Sequence, residues 1–406
     1  MKSTSCKTLA EETLASCLAG RVPKELPRTL AVETCGKELF SVLVEGLADR
    51  FEPALCDAYA HLFSQAIAYT RKDIHPALLV ARYERVRRVR PVEGKPHRIF
   101  VLSRVTLGAD IAVTSVLLAA AKRRFPHSDV IFVAPRKNYE LFAADPHIHH
   151  APVEYRRGGL RERLALWEDL QVLLSDPHAL IIDPDSRLTQ LGLLPVASDE
   201  HYHLFESRSY GAGSDRPLPQ LAADWAAETL GVRDTKPYLA LPPKPKPSGF
   251  VAINLGVGEN AAKRLPDPFE EELLRLLAAT GRLLCIDRGA GGEESERVQR
   301  AVERSGATAT FWEGSFAGFA SIITAAGLYV GYDSAGQHVA AACGVPLISI
   351  FAGFPVPRMF DRWRPAGNVI RVDRPDVEAT LARVRESVAA VISSPGPGDE
   401  GPQTSS

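Results

Sequence analysis

The sequence predicts an α/β protein with two doubly wound parallel sheets, preceded by a helical segment. Three observations support this prediction. From residue 96 onward, short apolar runs alternate with amphipathic stretches of helix length, a pattern typical of parallel sheets with helices on both faces. A proline-rich segment interrupts the alternation, which then restarts. The 406 residues also suffice for two or three compact domains.

Residues 1–95 are predicted to form a helical extension, because apolar residues recur there at helical spacing. The clearest stripe consists of Leu55, Tyr59, Leu62, Phe63, Ala66 and Ile67. The extension ends in a basic run of Arg82, Arg85, Arg87, Arg88 and Arg90. Such a run is usually a solvated helix face, and the functional alternative is a peripheral contact with anions or with the inner membrane surface.

The two sheet domains are predicted at residues 96–240 and 251–394, with a proline-rich linker at 241–250, because prolines cannot lie inside a sheet. Strands are expected at 99–102, 130–133, 179–182, 251–255, 283–286, 328–330 and 347–351. Helices are expected at 111–124, 160–174, 268–280, 293–304, 336–343 and 376–393. Residues 395–406 offer almost nothing to bury and are predicted to be a disordered tail.

The composition excludes several classes of protein. The formal net charge of −1 provides no global field for nucleic acid, so no nucleic-acid partner is expected. The sequence contains no apolar stretch of spanning length and no signal peptide, so we expect a cytoplasmic protein. The cysteines show neither metal-ligand spacing nor a disulfide framework, and we expect six reduced thiols, most of them buried. They are Cys6, Cys17, Cys35, Cys56, Cys285 and Cys343.

Ligands of open parallel sheets bind beyond the carboxyl ends of the strands, so the turns after predicted strands are the candidate sites. The turn after residue 255 contains Gly256 and Gly258, which permit close backbone approach, and Lys263, which supplies positive charge for a diphosphate. It lacks the pattern of an ATPase P-loop. The alternative interpretation is a surface glycine turn with solvated cations.

The most informative turn follows the strand expected at 328–330. Asp333 comes first, Ser334 and Gly336 leave backbone N–H groups accessible, and a helix begins whose N-terminus favours a phosphate. His338 falls in the first turn of that helix. Its alternative role is that of a core histidine with internal hydrogen bonds, but the small residues around it favour ligand binding.

The pattern Asp-small-x-Gly-x-His-x-Ala-Ala-Ala-x-Gly-x-Pro over residues 333–346 resembles the donor-domain motif of glycosyltransferase family 9, the ADP-heptose:lipopolysaccharide heptosyltransferases. The likeness extends over about residues 98–390. It implies a GT-B fold, in which two Rossmann-like domains face a cleft. It also implies that the diphosphate of an ADP-sugar is held by Lys263, Asp333, Ser334, Gly336 and His338. Ala335 stands where the family usually has glycine.

In the first sheet domain, Asp110 occupies a glycine turn, where a carboxylate can take a proton from an acceptor hydroxyl. The family pattern is Gly-Asp, an apolar run and a later proline. Counting back from Pro126 matches its aspartate, the family's proposed general base, to Asp110, with Ala109 in place of the glycine. The alternative role of Asp110 is the N-cap of the helix expected at 111–124.

A last cluster of charges follows the strand expected at 179–182. Arg187 and Arg208 are candidates for binding a phosphorylated or acidic acceptor, and a buried salt-bridge network is the equally weighted alternative. Asp183 and Asp185 have the spacing of a metal-binding carboxylate pair, but they belong to the acceptor half of the chain. We therefore expect neither a metal nor a cofactor.

Together these features predict an inverting, metal-independent glycosyltransferase. By resemblance, its donor is an ADP-linked heptose and its acceptor a saccharide or a lipopolysaccharide-type glycolipid. A nucleotide-sugar epimerase of the same fold is one alternative, and it would change a nucleotide sugar without an acceptor. A non-catalytic nucleotide-sugar-binding protein is the other, and it would bind the donor without turnover.

Overall fold

Two compact units make up the computed structural model, which describes residues 5–242, 249–258, 260–289 and 291–393. Unit 1 comprises Met1–Leu241 with Pro355–Trp363, and unit 2 comprises Pro242–Phe354 with Arg364–Ser406. Each unit contains one parallel sheet with helices around it, which confirms the predicted fold class. Most of the predicted linker and the whole predicted tail lie outside the described residues.

Unit 1 contains a sheet of five parallel strands. They are Arg98–Leu102 (β1), Asp129–Ala134 (β2), Ile148–Pro152 (β3), Leu180–Asp183 (β4) and Tyr202–Leu204 (β5). Their order is β3-β2-β1-β4-β5, so β1 is central, with Ile99 opposite Val130 on one side and Leu180 on the other. A central parallel strand is covered on both faces, which explains its continuous apolar run. The sequence does not predict the edge strands β3 and β5, because histidines interrupt their apolar pattern.

The main helices before and around this sheet are Cys6–Leu18 (α1), Pro53–Thr70 (α2), Pro76–Val86 (α3), Ser115–Arg124 (α4), Leu160–Leu173 (α5) and Leu218–Leu230 (α6). Shorter helical turns are Arg28–Ala31, Glu33–Cys35, Gly36–Glu38, Leu39–Val44, Glu45–Ala48, Leu107–Ala109, Asp110–Thr114, Arg136–Tyr139 and Arg187–Thr189. The turns from Leu107 to Thr114 lead into α4 without a break, so this helical stretch begins before the predicted residue 111.

The helical extension and the sheet of unit 1 share one hydrophobic core. The rings of Tyr59 and Phe63 stack with centroids 5.2 Å apart, and both residues belong to a buried cluster that also contains Phe100 and Ile181. Tyr59 Oη also donates to the backbone carbonyl of Gln190 at 2.9 Å. The predicted apolar stripe of α2 is therefore the face that this helix buries.

Two of the six cysteines are joined, so the expectation of six free thiols is wrong for this pair. Cys6 at the start of α1 and Cys35 form a disulfide with their Cα atoms 5.4 Å apart. The two residues are 29 positions apart in sequence, and spacing alone does not show that folding brings them within disulfide distance. The other four cysteines take no part in a disulfide, and they are Cys17, Cys56, Cys285 and Cys343.

The basic run at the end of the extension is paired within unit 1. Arg82 Nε lies 2.8 Å from Asp199 Oδ1, and Arg87 Nε lies 3.0 Å from Glu206 Oε2. Arg90 donates to a backbone carbonyl of β5 at 3.0 Å. The expected solvated helix face is therefore wrong for these three arginines, because they fasten the extension to the segment around β5. The same pairing gives no support to a membrane contact through them.

Unit 2 contains a sheet of six parallel strands. They are Val251–Asn254 (β6), Leu284–Asp287 (β7), Ala309–Trp312 (β8), Leu328–Tyr332 (β9), Leu347–Phe351 (β10) and Asn368–Arg371 (β11). Their order is β11-β10-β9-β6-β7-β8, which places β6 and β9 at the centre. The four predicted strands are present, whereas the sequence does not predict the edge strands β8 and β11.

The helices of the second half are Phe269–Ala278 (α7), Gly292–Ser305 (α8), Phe316–Thr324 (α9), Ala335–Ala342 (α10), Pro357–Trp363 (α11) and Val377–Ser393 (α12). A 3₁₀ turn spans Ala261–Lys263. Helix α11 belongs to unit 1, where buried Arg362 donates to the backbone carbonyls of Gly211 and Arg216 at 2.7 and 2.6 Å. No helix among the described residues is long and apolar enough to span a bilayer.

Candidate functional site

The carboxyl ends of the central strands of unit 2 bring polar side chains together. Asn254 is the last residue of β6, and Asp287 is the last residue of β7. Asn254 Nδ2 donates to Asp287 Oδ2 at 2.8 Å, while Asn254 Oδ1 accepts from the N–H of Gly256 at 3.0 Å and from Ser334 Oγ at 3.3 Å. One amide side chain thus connects the loops that follow β6, β7 and β9.

Lys263 is the cation that the structure places at this edge. Its Nζ lies 2.6 Å from Asp333 Oδ2 and donates to the backbone carbonyl of Asp333 at 3.2 Å. The Lys263 side chain keeps 21% of its surface exposed. The two residues, 70 positions apart in sequence, are thus brought together as the sequence predicts, and the ammonium group remains within reach of an anion.

Helix α10 begins directly behind this ion pair. Ser334 is its N-cap residue in extended conformation, and Ala335 is its first helical residue. Gly336 is buried, and a Cβ atom there would lie 2.4 Å from Tyr329 Oη. This glycine therefore permits close packing of α10 on the sheet, a reason different from the expected room for a ligand. The N-terminus of α10 still adds partial positive charge beside Lys263.

His338 lies in the first turn of α10 with 6% of its surface exposed. Burial lowers the pKa of His338 to about 4, although the Asp333 carboxylate acts in the opposite direction. The ring is therefore neutral near pH 7. Its Nε2 lies 3.4 Å from Nε2 of Gln337, a second buried polar residue of the same turn.

The loop after β6 has the backbone freedom that its glycines predict. Gly258 adopts φ +59°, a left-handed conformation that favours glycine. Gly256 lies against Glu294 of α8, whose Oε2 accepts from the N–H of Val257 at 3.3 Å. Gly353 also approaches this loop, because a Cβ atom there would lie 2.4 Å from the carbonyl carbon of Ala262.

The sequence interpretation misses several residues of this edge. They are Asn254, Asp287, Glu294, Gln337 and Gly353. The available signal for the first two is a polar side chain at the last position of an apolar strand. Glu294 and Gln337 lie within helices and carry no comparable local signal.

Asp110 of unit 1 is completely buried, and four groups donate to its carboxylate. Oδ1 accepts from the N–H of Arg104 at 2.7 Å and from Thr114 Oγ1 at 2.6 Å. Oδ2 accepts from Ser103 Oγ at 2.5 Å and from Asn138 Nδ2 at 2.6 Å. Burial raises the pKa of Asp110, and these hydrogen bonds oppose the rise.

The Asp110 carboxylate holds a strained turn after β1. Val105 has φ +72°, which is unfavourable for a β-branched residue. Its N–H donates to Ser103 Oγ at 2.8 Å, and that hydroxyl donates to Asp110. Asp110 itself has helical backbone angles, because the helical stretch begins at Leu107. The alternative N-cap role is therefore wrong, whereas the role as a general base stays a prediction.

The two predicted acceptor-binding arginines differ in exposure. Arg208 is buried, and its Nε lies 2.9 Å from Asp185 Oδ2. Burial acts to lower the pKa of Arg208, but attraction by Asp185 and Glu206 outweighs it and raises that pKa. This geometry is the internal salt bridge that the sequence leaves as the alternative. Arg187 keeps 25% of its side chain exposed, with Nη2 4.0 Å from Glu45 Oε1.

Both carboxylates of the Asp-Pro-Asp segment are engaged with groups of unit 1. Asp183 has no exposed surface, and it accepts from the N–H of Ser186 at 2.6 Å and from the hydroxyl groups of Thr189 and Tyr202. Asp185 pairs with Arg208 as described. Both carboxylates therefore have partners within unit 1.

Comparisons with known proteins agree with this architecture. Residues 202–385 match the family model of glycosyltransferase family 9 (heptosyltransferase). No curated protein matches the sequence. Among solved structures, E. coli heptosyltransferase WaaC with ADP has a TM-score of 0.54 and 17% identity, covering 71% of this chain and 99% of that chain.

Two further solved structures have the same fold. The glycosyl transferase family 9 protein from Veillonella parvula DSM 2008 has a TM-score of 0.55 and 17% identity, covering 74% of this chain and 91% of that one. E. coli ADP-heptose lps heptosyltransferase II has a TM-score of 0.51 and 19% identity, covering 73% and 98%. At these identities the likeness establishes the fold.

Proposed function

We propose that this chain, in which residues 202–385 match the family model of glycosyltransferase family 9, transfers a sugar from a nucleotide-diphosphate donor to a hydroxyl of a saccharide or glycolipid acceptor. One observation carries the proposal. The Lys263 ammonium is held beside the N-terminus of α10, at the carboxyl ends of the central strands of unit 2. Open parallel sheets bind ligands at such an edge, and the positive charges of Lys263 and of the helix N-terminus both favour a diphosphate.

The chemistry follows from where negative charge grows during transfer. As the bond between sugar and diphosphate breaks, charge accumulates on the leaving phosphate, and a preorganised cation with helix N–H groups stabilises it. Direct displacement by the acceptor oxygen would invert the anomeric centre. We propose that these groups of the chain replace a divalent metal, so that no metal takes part.

We propose an ADP-linked heptose as the donor and a lipopolysaccharide-type saccharide as the acceptor. Support for this donor comes from the structural neighbours. WaaC has been solved with ADP and with ADP-2-deoxy-2-fluoro heptose, and another neighbour is described as an ADP-heptose lps heptosyltransferase. Support for the acceptor comes from the same descriptions.

Removal of the acceptor proton requires a base, and Asp110 is the carboxylate proposed for this step. In the structure its carboxylate is fully hydrogen-bonded inside unit 1. Access of an acceptor hydroxyl therefore requires the Ser103–Val105 turn to open. Variants that keep the turn but remove the basicity of residue 110 separate this role from a purely structural one.

Incubation of the protein with ADP-heptose and a panel of saccharide acceptors tests the proposal, with products detected by mass spectrometry and their anomeric configuration assigned by NMR. A heptosylated saccharide that forms in the presence of EDTA and carries the inverted linkage is the expected result. Conversion of the nucleotide sugar without an acceptor would instead identify an epimerase. Binding of the donor without turnover over a broad panel of acceptors would identify a non-catalytic protein.

A further inference from the structure

A chain of buried hydrogen bonds connects the sheet of unit 2 to the cation at its edge. Ser349 of β10 donates from Oγ to Gln337 Oε1 at 2.5 Å, and Gln337 Nε2 donates to Asp333 Oδ1. The other carboxylate oxygen of Asp333 lies 2.6 Å from Lys263 Nζ. Gln337 and Ser349 have no exposed surface. The chain thus runs from the interior of the unit to its edge.

We propose that Gln337 is a positioning residue for donor binding. It fixes the Asp333 carboxylate so that Lys263 stays ordered beside the N-terminus of α10, where the diphosphate binds. This inference rests on the proposed function. It concerns a residue that the sequence motif leaves unassigned.

The chemistry of a glutamine side chain fits this position. Its amide group donates to a carboxylate while its carbonyl oxygen accepts from a hydroxyl, which connects Asp333 and Ser349 in one direction. Gln337 lies in the first turn of α10, and Asp333 directly precedes the N-cap residue Ser334, so the glutamine reaches the carboxylate from the start of the helix. Without the amide, Asp333 Oδ1 loses its donor, and the carboxylate is free to rotate towards a bound anion.

Ordering of Lys263 explains how Gln337 affects affinity. A lysine side chain loses considerable rotamer entropy when it is fixed, so a cation that is ordered in advance binds an anion at a smaller entropic cost. Asp333 supplies this order only while its own orientation is fixed. Gln337 therefore acts on the ligand through Asp333 and Lys263, and a change at residue 337 should depend on the presence of the lysine.

A double-mutant cycle on the full chain tests this dependence. ADP affinity is measured by calorimetry for the natural chain, Gln337→Met, Lys263→Ala and the double variant. We expect Gln337→Met to weaken ADP binding about tenfold, but less than about twofold in the Lys263→Ala background. Gln299→Met is the matched control, since Gln299 Nε2 donates to Glu303 Oε1 at 2.9 Å on the surface of α8. Its ADP affinity should not change.

Equal weakening by Gln337→Met in both backgrounds would show a merely structural role and overturn the inference. Tighter ADP binding by Gln337→Met would overturn it too, because Asp333 would then be a competitor for Lys263. If Gln337→Met fails to fold, Ser349→Ala replaces it, with an expected weakening of about threefold that again depends on Lys263. Absence of ADP binding by the natural chain would overturn the proposed function together with this inference.

Discussion

The carboxyl edges of the two sheets carry similar charged residues, but these residues differ in burial and in how completely they are paired. In unit 1, the carboxylates of Asp110 and Asp185 are buried and satisfied by internal donors. In unit 2, Lys263 pairs with Asp333 but keeps part of its side chain exposed. Buried charges need complete pairing to be tolerated, whereas an exposed cation can exchange its partner for a ligand. Lys263 can therefore exchange its partner for the proposed anion, whereas the buried carboxylates of Asp110 and Asp185 hold the loops of unit 1.

The backbone shows the same contrast. Left-handed conformations at the edge of unit 1 include the non-glycine residues Val105, Asp185 and Gln190. At the edge of unit 2 they occur at glycines, among them Gly258 and Gly353. Non-glycine residues in this region store strain that surrounding contacts must maintain. The hydrogen bonds of Asp110 and Asp185 provide such contacts in unit 1.

The largest expected effect is that of Asp110→Asn on turnover. Asparagine keeps the shape of the side chain, and its amide can donate to Ser103 Oγ and to the unpartnered Oδ1 of Asn138 after that side chain flips. If Asp110 is the base, turnover per folded molecule falls by roughly 10²- to 10⁴-fold while ADP affinity hardly moves, and the melting temperature falls about as much as in Asp183→Asn. Steady-state kinetics, ADP calorimetry and thermal melts measure the three quantities.

Asp183→Asn is the matched control, because Asp183 is an equally buried carboxylate at the same sheet edge. It should affect stability but not turnover per folded molecule. Near-wild-type turnover of Asp110→Asn would remove Asp110 from the mechanism. The Asp110 carboxylate would then only stabilise the Ser103–Val105 turn, and the buried carboxylates at the edge of unit 1 would all be structural.

Arg208→Met should lower the free energy of unfolding by about 3–5 kcal/mol, because it leaves Asp185 buried without its cation, whereas Glu206 keeps its ion pair with Arg87. Denaturant unfolding measures this loss. Arg187→Met, at a partly exposed position, should lower the free energy of unfolding by about 1 kcal/mol or less. Weaker acceptor use by Arg208→Met at unchanged stability would contradict the structural role and restore the predicted acceptor contact.

Lys263→Ala should weaken ADP binding by about 10- to 100-fold, the range expected when one hydrogen bond to a charged group is lost. Calorimetric titration with ADP measures the change. Arg300→Ala removes an exposed cation of α8 and serves as the control, with no expected change. Equal affinity of Lys263→Ala and the natural chain for ADP would show that Lys263 does not hold the diphosphate.

The last expected effect is a loss of stability in acid, and it should appear in both units. Burial lowers the pKa of His203 in unit 1 and of His338 in unit 2 from 6.5 to about 4. As the pH falls through 6.5, the unfolded chain takes up protons that the folded chain does not, so stability decreases until about pH 4. At pH 5 each histidine should lower the free energy of unfolding by about 2 kcal/mol relative to pH 7.

The predicted loss of stability is tested by measuring free energies of unfolding at pH 7 and pH 5 for the natural chain, His203→Gln and His338→Gln. Each substitution should reduce the difference between the two pH values, since glutamine does not titrate. If the pH dependence stays the same in His338→Gln, the imidazole is accessible enough to be protonated in the folded chain. Solvent would then reach His338 in the first turn of α10, although this residue is buried in the structure.

The apolar pattern was sufficient for the central strands but not for the edges of the sheets. Strands such as β1 and β10 are covered on both faces, so their sequences are continuous apolar runs and predict them directly. Edge strands such as β3 and β11 have fewer neighbours, and polar residues interrupt them. The expectation that Lys263 and Asp333 serve one site came from the resemblance to the donor domain of glycosyltransferase family 9.

The sequence by itself determined the α/β class, the central strands and the turns that carry Lys263 and Asp333, because each depends on a local pattern. Only the tertiary structure decided which charges are internal. Three interactions join residues that are distant in sequence or lie inside a helix. They are the buried ion pair of Arg208 with Asp185, the disulfide of Cys6 with Cys35, and the hydrogen bonds from Ser349 through Gln337 to Asp333. Pairing and desolvation depend on three-dimensional neighbours, and no local pattern of residues records them.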